Sequence, residues 1–257
     1  MHFTSETTAD GVTEHCFTLD GVPGVLWLPA TAQAGSPAAA PADAAPTRRP
    51  LVLLGHGGGS HKLAPGLVAR AGRCATRYGF AVAALDAPGH GERPRTAQDE
   101  RFATEIGELL ATGRPISARV ARHTAALAEQ AVPEWQAVID ALRKLDGVGP
   151  DGPVGYWGLS LGSVIGVPLA GADPRITVAV FGLAGDDSLT EAARRVTVPV
   201  EFLLQWDDEL VPRRAALALF DAFASAEKTL HANPGGHLDV PDFEVTDSEL
   251  FLARHLR

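Results

Sequence analysis

A serine, an acid and a histidine, the residue types that nucleophilic acyl transfer requires, occur in that order along the 257-residue chain. Ser160 lies at the centre of the sequence GLSLG, Asp208 lies in DDELVP, and His237 closes the sequence GGH. Serine is a weak nucleophile at neutral pH, so it needs a base within hydrogen-bond reach and a third group that orients the base. The order and residue types therefore predict acyl transfer to water, with Ser160 as nucleophile, His237 as base and Asp208 as orienting acid.

The serine motif stands where a strand is expected to turn sharply into a helix. An apolar segment, VGYW, precedes Gly158, and a helical pattern follows Gly162. Such a turn holds the serine in a strained backbone conformation, and the glycines two residues to either side relieve crowding and leave its hydroxyl exposed. The alternative interpretation of Ser160 is a helix N-cap.

The acid and the histidine each have competitors. Asp208 is favoured because the proline of the following Leu-Val-Pro sequence is suited to open the next helix, but Asp207 is adjacent, and Asp186 and Asp187 are remote alternatives. His237 follows the last predicted strand in a glycine-rich loop, which lets its ring reach back over the sheet edge. Its alternative role is that of an ordinary loop or capping histidine.

Two backbone amides are predicted to form the oxyanion hole. Leu161 follows the nucleophile at the start of its helix, and Gly58 lies in the turn His-Gly-Gly-Gly after an earlier strand, where absent side chains allow close approach to substrate. The rival interpretation of this turn is a phosphate-binding loop, but the Gly-Lys-Ser/Thr ending of a P-loop and the spacing of a dinucleotide fingerprint are both missing.

Residues next to these motifs are candidates for substrate binding. They are Gly59, His61, Trp206 and Leu238, each chosen because it neighbours a motif residue. The remaining histidines show no metal-ligand spacing, so no metal and no cofactor are expected.

The elements that position these residues are predicted from hydrophobic patterning. Short apolar runs alternate with stretches of helical length from Leu51 onward, in the order LVLLG, FAVAALD, VGYWG, ITVAVFG, VPVEFLLQW and KTLHA. This alternation predicts an α/β fold with a mostly parallel central sheet and helices on both faces. Upstream, Val12–Leu19 and Val22–Leu28 flank Asp20-Gly21 and predict an N-terminal β-hairpin.

One α/β domain over residues 1–257 is expected, with two unusual segments. Residues 29–50 are rich in Ala and Pro and are expected to form a mobile surface loop, the alternative being a linker. Residues 93–132 have helix-like patterning and precede a helix expected around residues 134–145. This insertion is a candidate lid, and one or two structural helices at the sheet edge are the equal alternative.

Composition excludes several classes of protein. The net charge of −9 and the pI near 5.4 disfavour nucleic-acid binding. No apolar run has the length of a membrane span, and the N-terminus lacks the features of a secretory signal. We therefore expect a cytoplasmic protein that acts on a small-molecule acyl substrate.

Taken together, the motifs resemble those of the α/β-hydrolase superfamily from Leu51 to the C-terminus. HGGG is similar to the family's oxyanion turn, DAPGHG to its D-x-P-G-x-G loop, GLSLG to its nucleophile elbow, and Asp208 and His237 to its acid and terminal histidine. The early position of the 93–132 insertion is similar to the dienelactone-hydrolase-like and acyl-peptidase-like branches. Dienelactone hydrolases use a cysteine nucleophile, and Ser160 departs from that pattern.

The resemblance implies a serine hydrolase that cleaves a carboxylic ester or related acyl bond. A peptidase, thioesterase or lactonase would use the same three side chains, since the walls of the pocket set selectivity. A non-catalytic binding protein on the same fold is the alternative from a different class, because fold alone does not establish function.

Overall fold

The computed structural model describes residues 1–30, 48–114 and 116–257. Within these residues, nine strands form one sheet. They are β1 (His2–Ala9), β2 (Val12–Leu19), β3 (Val22–Pro29), β4 (Leu51–Gly55), β5 (Ala81–Leu85), β6 (Val154–Gly158), β7 (Ile176–Gly182), β8 (Val200–Gln205) and β9 (Lys228–Asn233).

The same residues contain seven α-helices, most of them in the connections between strands. They are α1 (Pro65–Tyr78), α2 (Ala97–Ala111), α3 (Ser117–Leu142), α4 (Leu161–Ala172), α5 (Asp187–Ala193), α6 (Arg213–Ala222) and α7 (Asp242–His255). None of them combines the length and the apolar character needed to cross a membrane.

The strand order is β1-β2-β3-β5-β4-β6-β7-β8-β9. Strands β4 to β9 run parallel, whereas β1, β2 and β3 are antiparallel and β3 pairs antiparallel with β5. Chain order reverses between β4 and β6, so the loops after these two strands diverge and leave a crevice at their carboxyl ends. The predicted mostly parallel sheet is confirmed.

Side-chain alternation along the central strands divides the core between two faces. In β4, Leu51 and Leu53 join a cluster with residues of α3, α4, α5 and α6, whereas Val52 and Leu54 join a cluster with α1 and α7. All four leucine and valine side chains are buried. Because strand residues point alternately to opposite faces, a continuous apolar run is required when helices cover both. The predicted helices on both faces are confirmed.

The N-terminal hairpin is confirmed and is extended by a strand that was not predicted. The turn at Asp20-Gly21 has positive φ at both residues, and the same geometry recurs at Asp10-Gly11, which joins β1 to β2. Strand β1 is exposed along its whole length. The sequence of β1 has no alternation of apolar and polar residues that would predict a strand. Its backbone hydrogen bonds to β2 stabilise it as a strand instead.

The insertion is helical, but its predicted boundary is wrong. A separate helix was expected from about residue 134, whereas α3 runs without interruption from Ser117 through Pro133 to Leu142. A proline inside a helix costs about 3 kcal/mol. The helix continues because buried residues lie on both sides of the proline, including Leu127 and Trp135. The lid role of residues 93–132 stays a prediction, and residues 31–47 of the expected Ala/Pro loop lie outside the described residues.

Candidate active site

Ser160 occupies a tight turn between β6 and α4. Its φ of 55° and ψ of −119° place its backbone in a conformation that residues other than glycine rarely adopt. A Cβ added at Gly162 would stand 2.6 Å from the carbonyl oxygen of Gly55, and one at Gly158 would stand 2.8 Å from the carbonyl carbon of Gly162. The flanking glycines are therefore required by close backbone packing, as the sequence motif predicted.

A continuous chain of hydrogen bonds joins the three predicted residues. Nε2 of His237 lies 2.9 Å from Oγ of Ser160, and Nδ1 lies 2.8 Å from Oδ2 of Asp208. The side chains of His237 and Asp208 are only 5% and 3% exposed. Because the carboxylate can only accept, Nδ1–H donates to Asp208 and Nε2 is left to accept the Ser160 hydroxyl proton.

Asp208 is held from both sides. Its Oδ1 accepts the backbone N–H groups of Leu210 and Val211, each at 2.8 Å. Burial acts to raise the pKa of Asp208, but the hydrogen bonds from His237 and from these two amides outweigh it and hold the pKa below its ordinary value. The carboxyl group is therefore ionised beside the imidazole.

The competing acids make other contacts. Oδ2 of Asp207 accepts the Gly235 N–H at 3.3 Å. Asp186 caps α5 by accepting the Ser188 N–H at 2.8 Å, and Asp187 begins that helix. Of the four candidates, the structure brings only Asp208 to the ring of the histidine.

Gly58 and Leu161 supply two backbone N–H groups on either side of the β4–β6 crevice. Among the described residues, neither N–H has a hydrogen-bond acceptor. Leu161 is the first residue of α4, so its amide belongs to the positive end of the helix. A Cβ added at Gly58 would meet no atom within 4 Å, which is consistent with a loop that faces open space.

Two buried polar residues that were not predicted as site residues hold this glycine loop. Nδ1–H of His56 donates to the Gly57 carbonyl at 2.8 Å, and Nε2 accepts the Ala87 N–H at 3.0 Å. Burial lowers the pKa of His56, which favours the neutral ring. Lys62 donates to Asp86 through both its backbone and its ammonium group, each at 2.8 Å. Only the family motif hinted at His56 and Asp86, and no sequence signal marked Lys62.

Comparison with known proteins assigns the superfamily. Neither a protein-family model nor a curated protein matches the chain. The chain is similar to a cold-adapted esterase from an Arctic intertidal metagenomic library, with 33% sequence identity, 100% of both chains covered and a TM-score of 0.76. The chain belongs to the α/β-hydrolase superfamily.

More distant structures of known proteins share the fold. A CIB-like hydrolase from Thermoplasma acidophilum is 15% identical, with 97% of this chain and 100% of that chain covered and a TM-score of 0.60. Est1E from Butyrivibrio proteoclasticus, with ferulic acid bound, is 16% identical, with 93% and 98% covered and a TM-score of 0.63. The assignment to a dienelactone-hydrolase-like or acyl-peptidase-like branch of the α/β-hydrolases stays a prediction.

A cavity of about 1420 Å³ opens beside Ser160 and His237. Helix α2 and the first part of α3 contribute much of its apolar wall, with Phe102, Ala103, Ile106, Val120, Ala121 and Leu127. Residues of the 93–132 insertion of this α/β-hydrolase therefore line the cavity beside the candidate site. Leu183 and Val211 line the cavity as well.

The four predicted substrate-binding residues divide into two pairs. Gly59 and Leu238 line the cavity, and Leu238 is 89% exposed at its surface. His61 and Trp206 do not belong to the lining of this cavity. His61 is exposed, and the indole of Trp206 lies at the surface with the Arg213 guanidinium 4.1 Å from its ring centre. Adjacency in the chain brought these two residues near the motifs but did not direct their side chains into the cavity.

Proposed function

We propose that this ester-bond hydrolase cleaves carboxylic esters through an acyl-enzyme on Ser160. In the first half-reaction, His237 Nε2 accepts the hydroxyl proton as Oγ attacks the carbonyl carbon. The imidazolium then returns that proton to the leaving alcohol. In the second half-reaction, a water molecule gives a proton to Nε2 and attacks the acyl-enzyme, and Oγ leaves with that proton.

The hydrogen-bond chain from Ser160 through His237 to Asp208 carries this proposal. The ring is held in the tautomer that can accept the serine proton, and the ionised Asp208 stabilises the imidazolium without itself becoming protonated.

The amides of Gly58 and Leu161 are the proposed donors to the oxyanion. They lack protein acceptors among the described residues and lie at the crevice beside Ser160. Preorganised donors are worth most where charge develops in the transition state, since they need no reorientation as the reaction proceeds. Loss of one such donor typically lowers kcat by about 10²- to 10³-fold.

The proposed substrate is a small molecule with an apolar group. The cavity beside Ser160 is about 1420 Å³, larger than the roughly 300–1000 Å³ of common small-molecule sites, and much of its lining is apolar. Either the acyl group or the alcohol can therefore be bulky. The proposal extends to both Gly59 and Leu238 as parts of the binding surface.

The test is a panel of chromogenic esters of increasing acyl length, with peptide anilides, thioesters and lactones alongside. Ser160→Ala is expected to lose ester cleavage by several orders of magnitude while keeping its fold, as judged by circular dichroism. Ser188→Ala is the matched control, because it removes a hydroxyl from the same cavity outside the hydrogen-bond chain. A folded Ser160→Ala protein with full activity refutes the mechanism, and cleavage of only the anilides, thioesters or lactones reassigns the substrate class.

A further inference from the structure

The loop that carries His237 is held by carboxylates at three successive backbone amides. The N–H of Gly235 donates to Asp207 at 3.3 Å, that of Gly236 to Asp239 at 2.8 Å, and that of His237 to Glu209 at 2.9 Å. Gly235 has a φ of 108° and, like Gly236, offers no side chain for packing. The position of the histidine therefore depends strongly on these polar contacts.

Glu209 and Asp208 are neighbours in the chain and hold different parts of the same histidine. Oδ2 of Asp208 accepts from the ring at 2.8 Å, and Oε2 of Glu209 accepts from the backbone at 2.9 Å. We propose that Glu209 is a positioning residue, whose carboxylate fixes the backbone of His237 so that Nε2 stays aligned with Ser160. This inference rests on the proposed function of the Ser160 site.

Gly236 shows how closely the carboxylate approaches the loop. A Cβ added at Gly236 would stand 2.8 Å from Oε2 of Glu209 and 3.3 Å from Oδ2 of Asp239. The backbone of Gly236 lies outside the left-handed region, so alanine is permitted there on conformational grounds. An alanine at this position must therefore displace the flexible end of Glu209 while leaving Glu209 itself in the chain.

The surroundings of Glu209 separate positioning from a general role in stability. Glu209 is solvent-exposed and lines the same cavity as Ser160 and His237, and neither hydrophobic cluster contains it. Its removal should therefore leave the core intact. A charged acceptor forms a stronger hydrogen bond to an amide than a neutral one, and a misplacement of about 1 Å at a catalytic group can cost up to about 10²-fold in rate.

The experiment compares Glu209→Ala, Glu209→Gln and Gly236→Ala with wild type on the preferred ester. Active sites are counted by fluorophosphonate labelling, so that kcat refers to competent protein. For Glu209→Ala we expect kcat to fall by about tenfold or more with KM within about twofold, since the carboxylate accepts a hydrogen bond from the backbone of the base. Gly236→Ala should resemble Glu209→Ala, and Glu209→Gln should recover most of kcat because its amide oxygen still accepts the N–H.

The control is Glu191→Ala, which removes another exposed carboxylate, one on α5 that pairs with Arg194. It is expected to match wild type, and thermal unfolding of all Glu209 variants should stay near that of wild type. A Glu209→Ala kcat within about twofold of wild type overturns the inference, and so does a fall that glutamine does not restore. Failure of the proposed function would be seen separately, because Ser160→Ala would then hydrolyse the ester as fast as wild type.

Discussion

Substitution of Asp208 by asparagine tests the hydrogen-bond chain at the end farthest from Ser160. Oδ1 of Asp208 accepts two backbone N–H groups, those of Leu210 and Val211, each at 2.8 Å. An asparagine in the same place must present its carbonyl oxygen to these two donors, because an NH₂ group cannot accept from them. The NH₂ group is then directed at Nδ1 of His237.

The consequence is the wrong tautomer of the base. Nδ1 of His237 must become an acceptor, so its proton moves to Nε2, which then cannot take the hydroxyl proton of Ser160. The corresponding substitution in a Ser-His-Asp enzyme lowers kcat by about 10⁴-fold, which corresponds to about 5 kcal/mol of transition-state stabilisation. We expect a fall of about 10³- to 10⁴-fold here, without unfolding, because both amide contacts and the side-chain shape are retained.

Asp207→Asn is the matched comparison. The side chain of Asp207 makes one contact with the histidine loop, at 3.3 Å from the Gly235 N–H, and an asparagine oxygen can still accept there. We expect its kcat to fall by less than about tenfold. Steady-state kinetics on one ester, with circular dichroism as the test of folding, measures both variants. A folded Asp208→Asn enzyme within tenfold of wild type, or a larger loss for Asp207→Asn, refutes the assignment of the acid.

Two further predictions concern stability. Burial raises the pKa of Glu201 from 4.5 to about 7. Burial acts to lower the pKa of neighbouring His231, but its hydrogen bond to Glu244 and the nearby carboxylates outweigh burial and raise that pKa. The folded protein therefore retains protons that the unfolded chain has released. The free energy of unfolding therefore falls as pH rises through about 7. In urea titrations, Glu201→Gln should be more stable than wild type near pH 8 but not near pH 5. A variant that is less stable than wild type near pH 8 contradicts this prediction. Gly162→Ala should lower the free energy of unfolding by about 1–3 kcal/mol or more, because its Cβ would stand 2.6 Å from the Gly55 carbonyl oxygen. An unchanged melting temperature would contradict the packing described around Ser160.

The residues of the candidate site were predictable because parallel strands end at one edge of the sheet. Ser160, Asp208 and His237 each follow a strand of the parallel part of the sheet, so they lie at the same edge. The glycine spacing around Ser160 is a direct consequence of backbone contacts with neighbouring loops. Local sequence thus encodes the parts of the site that depend on strand order and on tight turns.

The parts that were missed depend on contacts between distant segments. Strand β1 has no apolar period, and α3 continues through Pro133 because of packing on both sides of it. Lys62 can be buried because Asp86 and Glu92, both in another loop, accept hydrogen bonds from its ammonium group. No sequence signal marks Glu209, and its contact with His237 appears only once the two loops are brought together. Sequence patterns carry no signal for such pairs.

The most direct test of the central claim is to locate the covalent adduct. The protein is treated with a fluorophosphonate, digested, and mapped by tandem mass spectrometry. The proposed acyl-enzyme mechanism predicts one modified peptide, with the adduct on Ser160 and loss of ester hydrolysis in proportion to labelling. Continued hydrolysis after Ser160 is fully labelled, or inactivation by an adduct at another residue, would contradict it.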